Sequence, residues 1–331
     1  MALKVSVIVS TFNRADLIAQ SLESILNQSY RPAEVIVVDD GSTDQTQAVV
    51  QRFANSVKYL RIENSGPTRA RNVGVEASGS EWIAFCDSDD LWHPEKLAAQ
   101  VHICEKMPDL QYCFTNFKTV TDGAWSVETK FDTSPPGYWD MPRRELGNGS
   151  FAVTVSMFDR LLCHQPIFPS TVLIKRALID RVGGWDEALG RLLSEDLEFT
   201  LRCVVQPPVG VVSQPLVGIR KHLGNISGNS LRQIMAEVEI LRYVREHHPA
   251  AKEHARLIED EVIRRRTIAA ALAFENGNFE TVRQVMAEVP RSSVSWRLQL
   301  KSFIARCPGP LARPLRRAAM RLSGGNTHSE R

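Results

Sequence analysis

Two periodicities alternate along the first hundred residues. Short apolar runs rich in β-branched residues, Val5 to Val9, Glu34 to Val38, Val57 to Ile62 and Trp82 to Cys86, read as strands. Ile18, Leu22, Ile25 and Leu26 recur at helical spacing between the first two, with Asn13 placed to cap that helix. A second helix starts near Thr43 and turns Val49, Val50 and Phe53 inward. Gly66-Pro67 opens a third through Val75, and a fourth follows from Pro94. Strands that are apolar throughout, separated by amphipathic helices, belong to an α/β architecture with a parallel sheet covered on both faces.

The pattern dissolves between Thr121 and Ser150 into Gly, Pro and aromatic residues, including Pro135-Pro136-Gly137-Tyr138-Trp139. A loop of that length inside a domain is functional or disordered. Regular structure resumes with a strand from Ser170 to Ile174 and a helix beginning near Ser194. From about Ser230 the periodicity is helical throughout: Leu231 to His247, Lys252 to Phe274, Phe279 to Val289 and Trp296 to Arg306. A boundary at Ser227-Gly228-Asn229 divides an α/β domain, 1–228, from a helical C-terminal region, 229–331.

Composition adds exclusions. The chain has 331 residues, 43% hydrophobic and 24% charged, and a net charge of +2, too small to imply a nucleic-acid partner. A strand begins almost at the first residue, so no signal peptide is expected. No apolar stretch has the length of a membrane-spanning helix. The 6 cysteines form no CxxC pair and no metal-ligand spacing. They read as reduced thiols, and the expected location is cytoplasmic.

Ligands of open parallel sheets bind outside the carboxyl ends of the strands. Three segments fall there: Ser10-Thr11-Phe12, Asp39-Asp40 and Asp87-Ser88-Asp89-Asp90. Carboxylates clustered at a buried strand tip need a cationic answer, and a hard divalent cation shared with a phosphate supplies one. On this reading Asp89 is a direct metal ligand, Asp87 touches the metal through water or grips a ribose, and Asp90 caps the next helix. His222 is a further candidate ligand, with a surface role as its rival. Phe12 is placed to stack on a base and Asp40 to accept from a ring N–H. The competing reading makes Asp39, Asp40 and Ser42 an Asx turn and helix cap. Asp196, opening a helix after Ser194-Glu195, is a candidate base, with plain helix capping as its rival. There is no GxxxxGK[ST], no GxGxxG after a strand and no GxSxG.

Four ordered stretches, VSVIVSTFNR, VIVVDDGSTDQT, ARNVGVEASGSEWIAFCDSDD and SEDLEFTLR, resemble a family 2 glycosyltransferase with the GT-A fold. The resemblance covers roughly the first two thirds of the chain. It implies a nucleotide-binding half over about 1–118, an acceptor-side half over about 119–228, and inverting transfer from a nucleotide-diphosphate sugar, usually a UDP-sugar, with Mn²⁺ or Mg²⁺. It implies that Thr11, Phe12, Asp40, Arg71, Asp87 and Ser88 bind the nucleotide. Asp87 and Asp89 become the carboxylates of a DxD motif, His222 a metal ligand, and Asp196 the base that deprotonates an acceptor hydroxyl. The chain departs from the family's polysaccharide synthases in lacking transmembrane stretches and a QxxRW-type motif, which leaves addition of one sugar to a glycan or lipid-linked acceptor. Two rivals stand beside this reading, a sugar nucleotidyltransferase and a non-catalytic module that kept the fold.

The C-terminus stands apart. From Arg291 to Leu322 there is no Asp or Glu, while Arg297, Lys301, Arg306, Arg313, Arg316, Arg317 and Arg321 accumulate. This segment is either a peripheral anchor on anionic lipid at the inner face of a membrane or a last helix with a solvated basic tail. Pro308, Pro310 and Pro314 are expected to interrupt any long helix there.

Overall fold

The structure, a computed structural model, describes residues 3–222 and 230–324. The chain forms two compact units, Met1–Asn225 and Ile226–Arg331. The boundary expected at Ser227-Gly228-Asn229 lies outside the described residues.

The first unit opens with β1 (Val5–Thr11), α1 (Ile18–Leu26), β2 (Glu34–Asp39), α2 (Thr46–Gln51), β3 (Lys58–Arg61), α3 (Pro67–Ala77) and β4 (Trp82–Asp87). β3, β2, β1 and β4 lie side by side and parallel, so their carboxyl ends share one edge. Every residue of β1 is buried, as a strand covered on both faces requires. α3 packs so closely that a Cβ on Gly74 would stand 2.3 Å from the Ile8 Cγ2. Only glycine permits that approach. Asn13 does not cap α1. Its Oδ1 accepts the Thr43 amide at 2.8 Å and fastens the loop after β1 to the loop after β2.

Beyond β4 come β5 (Leu91–Trp92), α4 (Lys96–Lys106), β6 (Tyr112–Thr121), β7 (Ala124–Trp125), β8 (Arg143–Gly147), β9 (Ser150–Val153), α5 (Phe158–Cys163), β10 (Val172–Lys175), α6 (Arg176–Val182), α7 (Glu195–Val204) and β11 (Val209–Lys221). The sheet order is β3-β2-β1-β4-β10-β6-β11-β9-β8, and β10 runs antiparallel to both its neighbours. The stretch from Thr121 to Ser150 is structured, against expectation. β8 pairs with β9, Trp139 packs on Phe131 with ring centroids 4.2 Å apart, and the buried Tyr138 hydroxyl donates to the His164 carbonyl at 2.9 Å. Periodicity misses it because β8 is mostly exposed and its neighbourhood is held by aromatic contacts rather than a regular apolar face. All six cysteines are free thiols.

The second unit is helical: α8 (Ser230–His247), α9 (Ala255–Glu275), α10 (Phe279–Ala287), α11 (Trp296–Arg306) and α12 (Gly309–Gly324). Ala269, Val285 and Leu298 belong to one of its apolar clusters, and Phe274, Ile304 and Ala312 to another. α12 corrects the expectation that the prolines break this segment. The Leu311 and Ala312 amides both donate to the Pro308 carbonyl at 2.9 Å, so Pro310 occupies a first turn where its missing N–H is no loss. Pro314 lies inside the helix, where it forgoes the bond to the carbonyl of residue 310 without ending the helix. No helix among the described residues is long and apolar enough to cross a membrane.

Candidate active site

The sheet register sets the site. Thr11 stands opposite Asp39 and Ser10 opposite Asp87, so the tips of β1, β2 and β4 are adjacent. The Asp40 amide donates to the Thr11 carbonyl at 2.9 Å and ties two of these tips together. Phe12 is exposed at 42% beside them, a large apolar ring facing solvent. The Thr11 hydroxyl is buried and has no hydrogen-bond partner among the described residues. Such an orphan needs a partner from outside the chain or a water.

The second tip is held by its own loop. Asp39 accepts the Ser42 amide at 2.7 Å and the Tyr59 hydroxyl at 2.5 Å, which is the Asx turn the local sequence offered. Asp40 caps no helix of its own strand. Its carboxylate receives the Ser65 amide at 2.7 Å, the Gly66 amide at 2.9 Å and the Asn64 side-chain amide at 3.4 Å. Gly66 has φ +96°, and a Cβ there would meet the Gly190 carbonyl oxygen at 2.5 Å. Two ionised oxygens offer about four acceptor positions, so three donors leave room for one more.

The four residues after Cys86 take different roles. Asp87 accepts from Arg71 at 2.9 Å, and its amide donates to the Ser170 hydroxyl at 2.9 Å. The Ser88 carbonyl accepts the Ser21 hydroxyl at 2.8 Å, which fixes the turn against α1. Asp89 accepts Arg14 Nε at 3.2 Å and lies 3.1 Å from His222 Nε2. Asp90 does not cap α4, contrary to expectation. It is fully enclosed, accepting the Ser170 hydroxyl at 2.5 Å and the Arg220 amide at 3.2 Å. Burial, then the charges of Asp89 and Asp87, push its carboxyl well above the usual range.

Arg71 joins this tip to α7. One guanidinium nitrogen meets Asp87 at 2.9 Å and another meets Glu195 at 2.8 Å, while its plane lies over the Trp185 ring at 4.5 Å. Trp185 in turn stacks on Phe199 at 4.1 Å. Burial works against the Arg71 charge, and the two carboxylates more than offset it, holding the group charged. Asp196 sits next in α7, buried, with Gln165 donating to it at 3.1 Å. Desolvation first, then Glu195 and Asp87, push its carboxyl up to about 8, with Arg71 pulling the other way. The helix N-terminus therefore does not decide the protonation of Asp196.

The structure thus brings Thr11, Phe12, Asp40, Arg71, Asp87, Ser88, Asp89, Asp196 and His222 to one edge of the sheet or the elements packed against it. No group of three His, Cys, Asp or Glu side chains among the described residues converges as a metal cage. Asp87 and Asp89 are each engaged by an arginine, Arg71 and Arg14, and of the two Asp89 is the one that meets a histidine, His222. The pair of Asp89 and His222 fits a hard cation that draws its other ligands from a diphosphate and water. Sequence reasoning missed Arg14, Ser170, Gln165 and Arg220. Arg14 falls within the VSVIVSTFNR stretch and Arg220 within Arg220-Lys221-His222, where charge marks them, while Ser170 and Gln165 carry no signal.

Residues 6–158 match the family model described as Glycosyl transferase family 2. Over that stretch, just under half of its length, the chain is similar to family 2 glycosyl transferases. An uncharacterized glycosyltransferase of Rickettsia bellii is 41% identical to it over 177 residues, 53% of this chain and 23% of that one. The Escherichia coli UDP-Glc:alpha-D-GlcNAc-diphosphoundecaprenol beta-1,3-glucosyltransferase WfaP is 27% identical over 259 residues, 77% of this chain and 90% of that protein. This chain therefore spans under a quarter of the first relative and nearly all of the second. Among solved structures, S. aureus TarS residues 1–349 with UDP-GlcNAc superposes with a TM-score of 0.64 at 21% identity, covering 98% of this chain and 93% of that one. The mannosyltransferase PcManGT of Pyrobaculum calidifontis, with GDP-Man and Mn²⁺, gives 0.53 at 17% identity, covering 100% and 89%. The α/β unit has the GT-A fold.

Proposed function

We propose that this glycosyltransferase moves a sugar from a UDP-sugar to a hydroxyl of a glycan or lipid-linked acceptor by inverting single displacement. The observation that carries the reading is Arg71, which holds the Asp87 tip and the N-terminus of α7 in one ion-paired cluster beside Asp196. The names of WfaP and of the TarS complex, each with a uridine diphosphate sugar, support the choice of donor. On this reading the orphaned Thr11 hydroxyl and the Phe12 ring receive the base, and Asp40 uses its remaining acceptor position for a ring N–H. Ser88 fixes the turn that presents Asp87 and Asp89.

Asp89 and His222 would hold Mn²⁺ or Mg²⁺, which when bound neutralises charge growing on the departing diphosphate. Asp196 accepts the proton of the acceptor hydroxyl. The new bond forms from that oxygen to the anomeric carbon as the bond from carbon to diphosphate oxygen breaks, and UDP leaves. A carboxylate of raised basicity suits this task better than one near its ordinary value. Asp87, held by Arg71, would take a ribose hydroxyl or reach the cation through water. A lipid-linked acceptor also requires access to a membrane surface.

Titration calorimetry of UDP, GDP, dTDP and their sugars with Mn²⁺ tests the reading. UDP is expected to bind tightest, and Asp89→Asn to lose the Mn²⁺-dependent part of the affinity. Unchanged Mn²⁺-dependent binding in that variant would remove Asp89 from the cation site.

A further inference from the structure

The second unit carries a surface that the proposed sugar transfer does not use. On α11, Trp296, Leu300 and Phe303 recur at i, i+4, i+7, and Trp296 and Phe303 are 69% and 66% exposed. The opposite side of the same helix, with Leu298, Ser302 and Ala305, is buried. α12 repeats the arrangement. Leu311, exposed at 58%, is followed by the exposed Leu315 one turn on, while Ala312 is fully buried. The exposed row of Trp296, Leu300 and Phe303 along one face of α11 is more than a scattered surface residue and marks an interaction site.

The charge around them has one sign. Arg297, Arg306, Arg313 and Arg317 are exposed, and the sequence from Arg291 to Leu322 holds no acidic residue. Arg313, Arg316 and Arg317 line a cavity of about 340 Å³ together with Gly277 and Phe279. Arg316 donates to the Glu275 carbonyl at 2.6 Å, and its Nε is buried without a hydrogen-bond partner among the described residues. Three arginines around one cavity ask for an anionic partner. A second copy of this chain would set arginine against arginine.

We infer that α11 and α12 dock the protein on an anionic bilayer surface, with Trp296, Phe303, Leu311 and Leu315 entering the headgroup layer and Arg313 and Arg317 meeting lipid phosphates. Apolar side chains flanked by arginines are what such an interface takes: the apolar face gains by leaving water and the basic groups by nearing lipid phosphate. The inference stands on the second unit alone and does not depend on which reaction the first unit performs.

Flotation of the full chain with phosphatidylcholine vesicles, with and without phosphatidylglycerol, tests it at about 0.1 M salt. The chain is expected to float with the anionic vesicles and to stay behind with the neutral ones. Arg313→Gln with Arg317→Gln should weaken binding by about 25-fold, from roughly fivefold per basic residue. Phe303→Asp with Leu311→Asp should abolish flotation. All four positions are exposed, so thermal unfolding of both variants should match the parent, and UDP-sugar titration on the same preparations reports separately on the first unit. The inference is overturned if the chain fails to float with anionic vesicles, floats equally with neutral ones, or floats undiminished as either variant.

Discussion

Replacing Asp196 by Asn exposes two consequences of one burial. The carboxyl is pushed from 3.8 up to about 8, with desolvation as the largest cause. Between those values the unfolded chain holds the group ionised and the folded chain holds it protonated. Folding therefore takes up a proton, and stability falls as pH rises through the window, levelling off above about 8. Each pH unit in the window is worth roughly 1.4 kcal/mol, so the loss reaches at most about 4 kcal/mol by pH 7. Asn is nearly isosteric and does not ionise. The melting temperature of Asp196→Asn should therefore fall less steeply than the parent's between pH 5 and 8, as scanning calorimetry across that range would show. Activity moves the other way. Loss of a general base lowers turnover by about a hundred- to ten-thousand-fold, while UDP-sugar affinity should hold within about twofold, since Asp196 is assigned no donor contact. The parent's own kcat/KM should climb with pH to a plateau near the Asp196 value, because about a tenth of the base form is present at pH 7. A variant that keeps turnover within tenfold of the parent, or a parent profile flat from pH 6 to 9, refutes the reasoning.

Two further substitutions probe the frame. Arg71→Ala leaves Asp87 and Glu195 without their shared cation and should lower stability by about 3–5 kcal/mol; a calorimetric melt within 1 °C of the parent would show that the ion pairs carry no net stability. Gly74→Ala forces a methyl to within 2.3 Å of the Ile8 side chain and should cost about 1–3 kcal/mol. Gly79→Ala is its control in the same denaturation series, since a Cβ there meets nothing nearer than 3.7 Å.

The four parallel strands β1 to β4 were legible because they are short and separated by helical spacing, with β1, β2 and β4 almost wholly buried, and the carboxylates at their ends follow from that register. The part from β10 to β8, where β6 and β11 pair in parallel and the other neighbours antiparallel, was not. β11 is 13 residues long and carries Ser213, Gln214 and Pro215 in its middle, a polar break that hides a strand from any period. β6 runs Tyr112 to Thr121 with Thr115 and Asn116 buried inside it. Those polar side chains are absorbed locally: Thr115 donates to the Asn116 carbonyl, and the Asn116 side chain meets Ser213 and the Phe117 amide. Within the site, the identity of the acidic residues was readable while their division of labour was not. Asp87 to Asp90 look alike in the sequence, and only Arg71, Arg14, Ser170 and Arg220, drawn from remote segments, tell them apart. Asp90 shows the limit plainly, since its partners lie 80 and 130 residues away.

The ion pairs of Arg71 link the protonation of two segments. The negative charge of Asp87 is one of the influences that keep a proton on Asp196. Whatever removes charge from Asp87 lowers the hold on that proton, and by reciprocity a deprotonated Asp196 favours a cation at Asp87. Arg71, paired with both Asp87 and Glu195, joins the tip of β4 to α7 and stands between the two effects.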